Sequence, residues 1–266
     1  MGEEVLLVEK MDGYRVLTLN RPEKLNAFNI DLHIALRSAL EDVASDEDCR
    51  AVMITGAGRG FCAGQDLGDR DFSDSDQASD LGATIEAYYN PLVRQIRALE
   101  LPVVCVVNGV AAGAGANIAL ACDIVLAAKS ARFIQSFAKI GLVPDSGGTW
   151  ILPHLIGEAR AKALALTATP VFAEQAEQWG MIWKAIDDED LMAEAHKMMR
   201  DFAIAPTVSL GLTKSGIQSA ATNTFSEQID LERDLQREAG SSADYIEGVT
   251  AFLEKRQPQY TGKRNS

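Results

Sequence analysis

Residues 101–122 read LPVVCVVNGVAAGAGANIALAC, and the order of residue types in this stretch decides the fold. The stretch carries no charge and is about as long as a membrane span. However, Pro102, Asn108 and Asn117 interrupt it, and β-branched residues fill its first half while alanine dominates the second. This change of composition predicts a buried strand at 103–107, a tight glycine loop and then a buried helix. We therefore expect an α/β protein without a membrane-spanning segment.

Strand and helix patterns alternate along the chain on both sides of this stretch. Two short β-rich runs, at 5–10 and 14–20, flank a turn and predict a hairpin. Residues 29–46 follow with apolar side chains at helical spacing, and either Asn29 or Asp31 can cap this helix. This rhythm is typical of parallel βαβ units. Apolar runs predict further buried strands at 51–55, 124–128 and 181–186.

The rhythm of strands ends near residue 187, and the remaining sequence is almost wholly helical in pattern. We therefore divide the chain into an α/β core at residues 1–200 and a C-terminal helical region at 201–266. An acidic stretch at 66–80 contains few apolar residues and predicts a loop ahead of a helix at about 82–99.

The charge balance and the cysteines restrict the setting and the partners. With 38 acidic and 25 basic residues the formal charge is −13, which opposes binding to nucleic acid or anionic lipid. The N-terminal MGEEVLLVEK lacks the basic region of a secretory signal. The four cysteines form no CxxC pair, and the three histidines show no metal-ligand spacing. We expect a cytoplasmic protein that binds no metal.

Two glycine-rich segments resemble dinucleotide-binding loops only superficially. In GAGRGFCAG (56–64), Phe61 stands where the third glycine should be, and Ile118 does the same in GAGANI (113–118). The chain also has no GxxxxGK[ST] phosphate loop, so no nucleotide cofactor is predicted. Small residues instead allow the backbone N–H groups of two loops to point at one oxygen, although two ordinary tight turns would have the same composition.

Four blocks of sequence together resemble the crotonase superfamily of enoyl-CoA hydratases and isomerases. They are RPEKLNAF (21–28), FCAGQDL (61–67), VNGVAAGAGANIALACDIVLAAKSARF (107–133) and GLVPDSGGTWILPHLIG (141–157), in that order. The resemblance implies a spiral of βαβ units and trimerisation through the C-terminal helices, usually with trimers paired into hexamers. It also implies an acyl-CoA thioester as the substrate and no separate cofactor, because coenzyme A is part of that substrate.

The resemblance implies roles for individual residues. Family members hold the thioester oxygen with two backbone N–H groups, which correspond here to those of Gln65 and Ala114. Family hydratases add two glutamates that activate water and deliver a proton, but the matching residues here are Asn117 and Phe137. Neither side chain exchanges a proton near neutral pH, so efficient hydration by that route is not expected. Asp145 corresponds to the acid of the family isomerases, although a solvated loop acid is its simpler interpretation.

The function implied by these positions is isomerisation by one base. GVAAGAGAN, the aspartate in GLVPDSGGTW and YNPLVRQI (89–96) look most like family members that convert ring-1,2-epoxyphenylacetyl-CoA to oxepin-CoA and shift double bonds from 3-enoyl-CoA to 2-enoyl-CoA. The alternatives are an enoyl-CoA hydratase of fatty-acid or aromatic-acid catabolism, a dehalogenase, and a non-catalytic member that binds acyl-CoA or RNA. The dehalogenase would carry a tryptophan where Phe137 stands, and the acidic balance opposes RNA.

The same resemblance places further residues along the substrate, next to plainer alternatives. Lys24 could belong to a solvated basic turn, Asp66 could brace its own loop, and Tyr88 or Tyr89 could serve helix packing. The expected substrate contacts are Lys24, Leu25, Asn26 and Ala27 along coenzyme A; Ala63, Asp66, Leu67, Gly113, Asn117 and Phe137 in the matched blocks; Tyr89 and Asn90 at the acyl group; Leu142 and Trp150, with Val143, as an apolar wall beside Asp145; and Phe252 and Lys255 towards the coenzyme A of a neighbouring subunit.

Overall fold

A six-stranded sheet forms one layer of the protein in the computed structural model, which describes residues 4–69 and 80–264. The first two strands pair antiparallel, which confirms the predicted hairpin, and every other neighbouring pair is parallel. Numbered along the chain and given in spatial order, the strands are β1 (Leu6–Met11), β2 (Tyr14–Leu19), β3 (Ala51–Gly56), β5 (Val103–Val107), β7 (Ile124–Ala128) and β10 (Lys184–Ile186).

A second sheet of four short strands lies beside the first. Its order is β4 (Gly60–Cys62), β6 (Val110–Ala112), β8 (Arg132–Ile134) and β9 (Val171–Phe172), with only the last pair antiparallel. The sequence analysis missed this sheet, because strands of two or three residues are too short to show a period of two. The expected tight loop after β5 therefore contains β6, and the strand expected at 181–186 is confined to β10.

The helices follow the expected pattern, with one irregularity. Residues 81–98 form a continuous helical segment that includes a π-helical turn at Ile85–Tyr89. The predicted cap of the first helix is confirmed, because Asn29 accepts a 3.0 Å hydrogen bond from the N–H of Leu32. The core helices are α1 (Ile30–Ser45), α2 (Leu81–Thr84), α3 (Asn90–Ala98), α4 (Ala114–Ala121), α5 (Gly148–Ile156), α6 (Glu158–Thr167), α7 (Ala173–Gln178) and α8 (Leu191–Ala203).

The chain passes from the first sheet to the second and back by way of helices. A long strand leads into a short one, as β5 leads into β6, and a helix such as α4 then returns the chain to the next long strand, β7. This arrangement confirms the expected α/β spiral. All residues of β3, β5 and α4 are buried, so the centre of the spiral is filled by strands and one helix that meet no solvent.

Three helices complete the described chain: α9 (Thr207–Ser219), α10 (Phe225–Gly240) and α11 (Ala243–Glu254). Arg50 connects this region to the core, because its guanidinium donates 3.1 Å hydrogen bonds to Thr207 Oγ1 and to the carbonyl oxygen of Tyr260. The C-terminal tail folds back on α11, where Asp244 accepts hydrogen bonds from Thr261 and Gly262. The division at residue 200 stays a prediction, and α8 spans it.

The sequence also predicts an acidic loop and no membrane-spanning helix. The loop expected at 66–80 falls mostly on residues 70–79, which lie outside the described residues. Within the described ranges, no helix is both long and apolar enough to cross a membrane.

The burial of α4 predicts a strong effect of one methyl group. A Cβ atom on Gly115 would lie 2.5 Å from the carbonyl oxygen of Cys62, so Gly115→Ala should force the helix away from β4 and destabilise the fold by about 1–3 kcal/mol. Gly240→Ala is the matched control, because its Cβ would meet no atom within 4 Å at the end of α10. The free energy of unfolding of the control, measured in urea, should lie within about 0.5 kcal/mol of that of the original protein. Equal stability of the two variants would contradict this packing argument.

Candidate active site

Two backbone N–H groups, those of Gln65 and Ala114, lie at the C-terminal side of adjacent strands in the second sheet. A parallel bridge joins Phe28 to Gln65, in which the Phe28 N–H bonds to Gly64 O at 2.7 Å and the Asp66 N–H bonds to Phe28 O at 2.9 Å. This pattern leaves the N–H of Gln65 outside the bridge. Ala114 begins α4, and the first N–H groups of a helix have no acceptor within it. Both donors are therefore available to a bound oxygen.

Gly64 allows these two donors to approach one another. Its φ of +93° lies in a region that favours glycine, and a Cβ atom there would lie 2.9 Å from Ala112 O and 3.5 Å from the backbone nitrogen of Ala114. The loops that carry Gln65 and Ala114 are thus in contact through a position that has no room for a side chain. The structure brings the two predicted donors together.

Asp145 lies on the loop before α5 and is partly buried. Burial raises the pKa of its carboxyl above the ordinary 3.8, and the 2.9 Å hydrogen bond from Ser146 Oγ opposes this only in part. The carboxylate does not cap α5: the N-terminal cap is Gly147, without a side-chain hydrogen bond. Instead, the carbonyl oxygen of Asp145 accepts a 2.9 Å bond from the N–H of Gly148.

The two residues at the hydratase glutamate positions lie between these groups. Asn117 is completely buried one turn into α4, and its Nδ2 donates a 2.8 Å hydrogen bond to the carbonyl oxygen of Asp145. Phe137 is also buried, and its Cζ would lie 3.8 Å from a Cβ atom on Gly113. About one helical turn of α4 therefore separates the backbone N–H of Ala114 from Asn117, which contacts the Asp145 loop.

The turn at 21–28 braces the Gln65 loop. Asn26 is completely buried, and its amide donates 2.9 Å hydrogen bonds to the carbonyl oxygens of Ala57 and Gly60. The carbonyl oxygen of Leu25 accepts a 2.9 Å bond from the N–H of Ala63. Ala27 is buried, whereas Lys24 is exposed. These contacts give Leu25 and Asn26 a structural role at the place where the sequence predicts coenzyme A to pass.

Asp66 braces its loop, as its alternative interpretation expects. Its carboxylate accepts hydrogen bonds from Arg21 at 2.9 Å and from the N–H of Gly68 at 3.0 Å. Burial alone would raise the pKa of Asp66, but these bonds and the positive charges of Arg21 and Lys24 lower it. The neighbouring Leu67 is exposed.

An aromatic cluster lies between the two halves of the site. Tyr89 is buried against Phe28, with ring centroids 6.2 Å apart, and Phe28 is the bridge partner of Gln65. On the other side, Val93 follows Tyr89 by one turn and lies 3.8 Å from the Cβ position of Gly147. The cluster thus forms a wall from the Gln65 loop to the Asp145 loop. Asn90 donates a 2.7 Å hydrogen bond to Glu86 on the same helical segment.

His33 belongs to this cluster, and sequence reasoning assigned it no role. Its ring lies 4.3 Å from that of Tyr89 and 4.5 Å from that of Phe28 between centroids. Burial, with a smaller contribution from the charge of Arg37, lowers the pKa of His33 to about 4, so the ring is neutral at physiological pH. Phe28 is close to His33 in the sequence, but Tyr88 and Tyr89 lie on a later helical segment, so the sequence alone does not indicate this environment.

The apolar wall expected from Leu142, Val143 and Trp150 does not enclose Asp145 in this chain. Val143 is 79% exposed, and Leu142 also faces solvent. Trp150 stacks on His154 at 4.0 Å and lines a cavity of about 520 Å³ that Asp145 does not line. Trp150 lies on α5, whereas Asp145 lies on the loop before that helix, and the substrate contacts expected from Leu142 and Trp150 stay predictions.

The last two predicted contacts lie at the end of α11. Phe252 is 82% exposed, and Lys255 follows the helix in a left-handed conformation. Both side chains therefore remain available to another molecule. In the described part of the chain, no group of three or more His, Cys, Asp and Glu side chains is arranged to hold a metal ion.

Comparison with known proteins agrees with this geometry. A family model described as enoyl-CoA hydratase/isomerase matches residues 9–263. The 1,2-epoxyphenylacetyl-CoA isomerase of Escherichia coli K12 is 55% identical over 98% of this chain and 99% of that protein. The crotonyl-CoA hydratase of Syntrophomonas wolfei is 32% identical over 99% of this chain and 100% of that protein. The crystal structure of enoyl-CoA hydratase from Bacillus anthracis matches with a TM-score of 0.91 and 28% identity, covering 97% of this chain and 100% of that chain.

The chain therefore belongs to the enoyl-CoA hydratase/isomerase family, within the crotonase superfamily, and it is an enzyme of that family. Membership of the family implies an acyl-CoA substrate. The isomerase and the hydratase relatives both align along nearly the whole chain. Coverage therefore does not distinguish between the two reactions, and the residues at the acid and amide positions of the site have to do so.

The opposite pKa shifts of two acids predict opposite stability changes. The charged form of Asp145 is disfavoured in the folded protein, so Asp145→Asn should raise the Tm near neutral pH. This gain should shrink as the pH falls through the raised pKa, because the original carboxyl is then protonated as well. Asp66→Asn is the control: its pKa is lowered, so its carboxylate stabilises the fold above the ordinary 3.8, and the variant should have a lower Tm near neutral pH. Shifts of the same sign would contradict the assignment.

Proposed function

We propose that this enzyme is an acyl-CoA isomerase whose base is Asp145. The observation that carries the proposal is that Asp145 is the only acid at the three matched catalytic positions, since Asn117 and Phe137 occupy the other two. The raised pKa of its buried carboxyl makes it a stronger base than an exposed aspartate, which supports a role in proton transfer.

The reaction needs only one base and one oxyanion hole. With 3-enoyl-CoA, the Asp145 carboxylate takes a proton from C2, and the electron pair passes to the thioester oxygen as an enolate. The N–H groups of Gln65 and Ala114 stabilise that oxygen, and the loss of one such donor typically costs about 2.7–4 kcal/mol in the transition state. The protonated Asp145 then returns the proton at C4, which leaves the double bond between C2 and C3 and restores the carboxylate.

The proposed physiological substrate is ring-1,2-epoxyphenylacetyl-CoA, which would be converted to oxepin-CoA. This finer assignment is supported by the name and the 55% identity of the Escherichia coli relative. It is also supported by Tyr88 at the edge of the aromatic cluster, because this ring is only half-buried and can offer a face to a planar acyl group. The conversion of the ring epoxide to the oxepin breaks the bond between the two epoxide carbons, keeps both C–O bonds and transfers no net proton. The proton that Asp145 removes from C2 to form the enolate therefore returns to C2, and no second acid is needed.

We also propose that the enzyme is cytoplasmic and acts as a trimer or a dimer of trimers, with residues 201–266 as the oligomerisation region. The four free, buried cysteines support a reducing compartment. Helix α10 buries none of its residues, and α11 exposes Ile246, Phe252 and Leu253, which supports a contact surface for another copy. Phe252 and Lys255 would then reach the coenzyme A of the neighbouring subunit.

Replacement of Asp145 by asparagine tests the base. Asp145→Asn keeps the shape of the side chain but cannot accept the C2 proton, so kcat for 3-enoyl-CoA isomerisation and for ring-epoxide turnover should fall by about 10²–10⁴-fold. Crotonyl-CoA hydration should be slow in both proteins. The three reactions should be followed in parallel by the absorbance of the thioester products.

Asp187→Asn is the matched control, because it removes an exposed carboxylate that pairs with Lys129 at the surface. This variant should keep the original rates. Near-original isomerisation by Asp145→Asn would show that another group is the base. Rapid crotonyl-CoA hydration without isomerisation would assign the enzyme to the hydratases instead.

A further inference from the structure

Both the nitrogen and the oxygen of the Asn117 side-chain amide form hydrogen bonds, and both partners are groups of this protein. Its Nδ2 donates to the carbonyl oxygen of Asp145 at 2.8 Å, and its Oδ1 accepts a 2.7 Å hydrogen bond from Nε2 of Gln135. Asn117 is completely buried, and Gln135 is 3% exposed. The amide therefore joins α4, the segment after β8 and the loop that carries Asp145.

The backbone at the start of α5 packs directly against this amide. A Cβ atom on Gly148 would lie 2.2 Å from Nδ2 of Asn117, so the amide lies directly against the backbone of the first residue of α5. The Asp145 carbonyl already accepts a hydrogen bond from the N–H of Gly148. The Asn117 bond is thus not needed to satisfy that oxygen, and its effect is to fix the direction of the Asp145 peptide.

Gln135 gives a second observation that points to the same role. Its Oε1 is buried without a hydrogen-bond partner in the described part of the chain, while its Nε2 bonds to Asn117. A buried amide with one unpaired end is costly, so a polar residue here is retained against its own desolvation. The contact that it does make is the one that orients the Asn117 amide, with its nitrogen towards Asp145.

We propose that Asn117 and Gln135 position the base: Gln135 holds the Asn117 amide, and that amide fixes the Asp145 peptide so that the carboxylate faces the thioester. This inference rests on the proposed function of Asp145. Asn117 is then a positioning residue at the site where a hydratase carries an acid. An amide exchanges no proton near neutral pH, so the same residue that aims the base cannot serve as the acid that hydration needs.

The test follows the proton-transfer step alone. Phenylacetyl-CoA in D₂O is the probe: Asp145 takes a proton from C2, the carboxyl exchanges it with solvent, and deuterium returns to C2 without any other change in the thioester. Exchange is measured by mass spectrometry for the original protein and for Asn117→Ala, Asn117→Asp and Gln135→Leu. We expect kcat for exchange to fall about 10–100-fold in the Asn117 variants, and less in Gln135→Leu, while KM changes by less than about 3-fold.

The pH profile supplies a readout that a merely structural role would not move. Asn117→Ala admits water to the Asp145 loop and should lower the pKa of the acidic limb, whereas Asn117→Asp adds a second negative charge beside Asp145 and should raise it. Asn108→Asp is the matched control, because it replaces another amide that donates to a carbonyl oxygen, that of Gly58, at 2.9 Å. The control should change the Tm without changing kcat or the acidic limb.

The outcomes separate this inference from the proposed function. Original exchange rates in Asn117→Ala and Asn117→Asp, or a loss that matches only their fall in Tm, would overturn the positioning role while Asp145→Asn is inactive. Exchange by Asp145→Asn at the original rate would instead overturn the base itself, and the inference with it. Exchange that depends on Asp145 and Asn117 in an enzyme that does not turn over ring epoxide supports the positioning role and rejects only the proposed substrate.

Discussion

The close contact between the start of α4 and the loop after β4 is the constraint on which the site depends. Gly115 packs against Cys62, and Gly64 packs against the carbonyl oxygen of Ala112, at distances that admit no side chain. Because of this contact, the N–H groups of Gln65 and Ala114 share one small region. The same helix carries Asn117 to the peptide of Asp145 one turn later. One buried helix therefore sets the positions of the proposed oxyanion donors and of the candidate base, and a shift of α4 would disturb both.

Two acids near this helix, Asp66 and Asp145, have different hydrogen-bond partners, and the pKa values of their carboxyl groups shift in opposite directions. Asp66 receives the guanidinium of Arg21 and a backbone N–H, so its charge is stabilised and it serves as a brace. Asp145 receives a neutral hydroxyl from Ser146 and remains a poorly stabilised anion. An anion without a cation partner costs folding stability at neutral pH, but the same lack of stabilisation keeps the carboxylate basic. The difference in partners, and not the residue type, separates the structural acid from the candidate base.

The sequence predicted those parts of the fold that have a long, regular pattern. The buried strands and α1 repeat their apolar residues over enough positions to be recognised, and the four matched blocks located Gln65, Ala114 and Asp145. The second sheet could not be predicted, because its strands of two or three residues are too short to show a period of two. The contacts of Asn117 with Gln135 and Asp145 and the contact of His33 with Tyr89 could not be predicted, since these partners are far away in the sequence. The side chain of Trp150 lines a cavity that Asp145 does not line, because proximity in sequence does not determine the direction in which a helical side chain points.

The loss of both hydratase acids changes what the remaining acid has to do. Phe137 fills the space beside Gly113, and both the nitrogen and the oxygen of the Asn117 amide bond to protein groups. Neither side chain can activate water, because neither exchanges a proton near neutral pH. In the proposed isomerisation, the proton that Asp145 removes returns from Asp145, which requires one carboxyl to reach two carbons of the same substrate. A single group can serve both ends only if its position is fixed between them, because a mobile carboxylate would lose the proton to solvent or miss the second carbon. In the proposed reaction, the amide at position 117 therefore has two effects: it supplies no acid for hydration, and it holds the peptide of the single base in place.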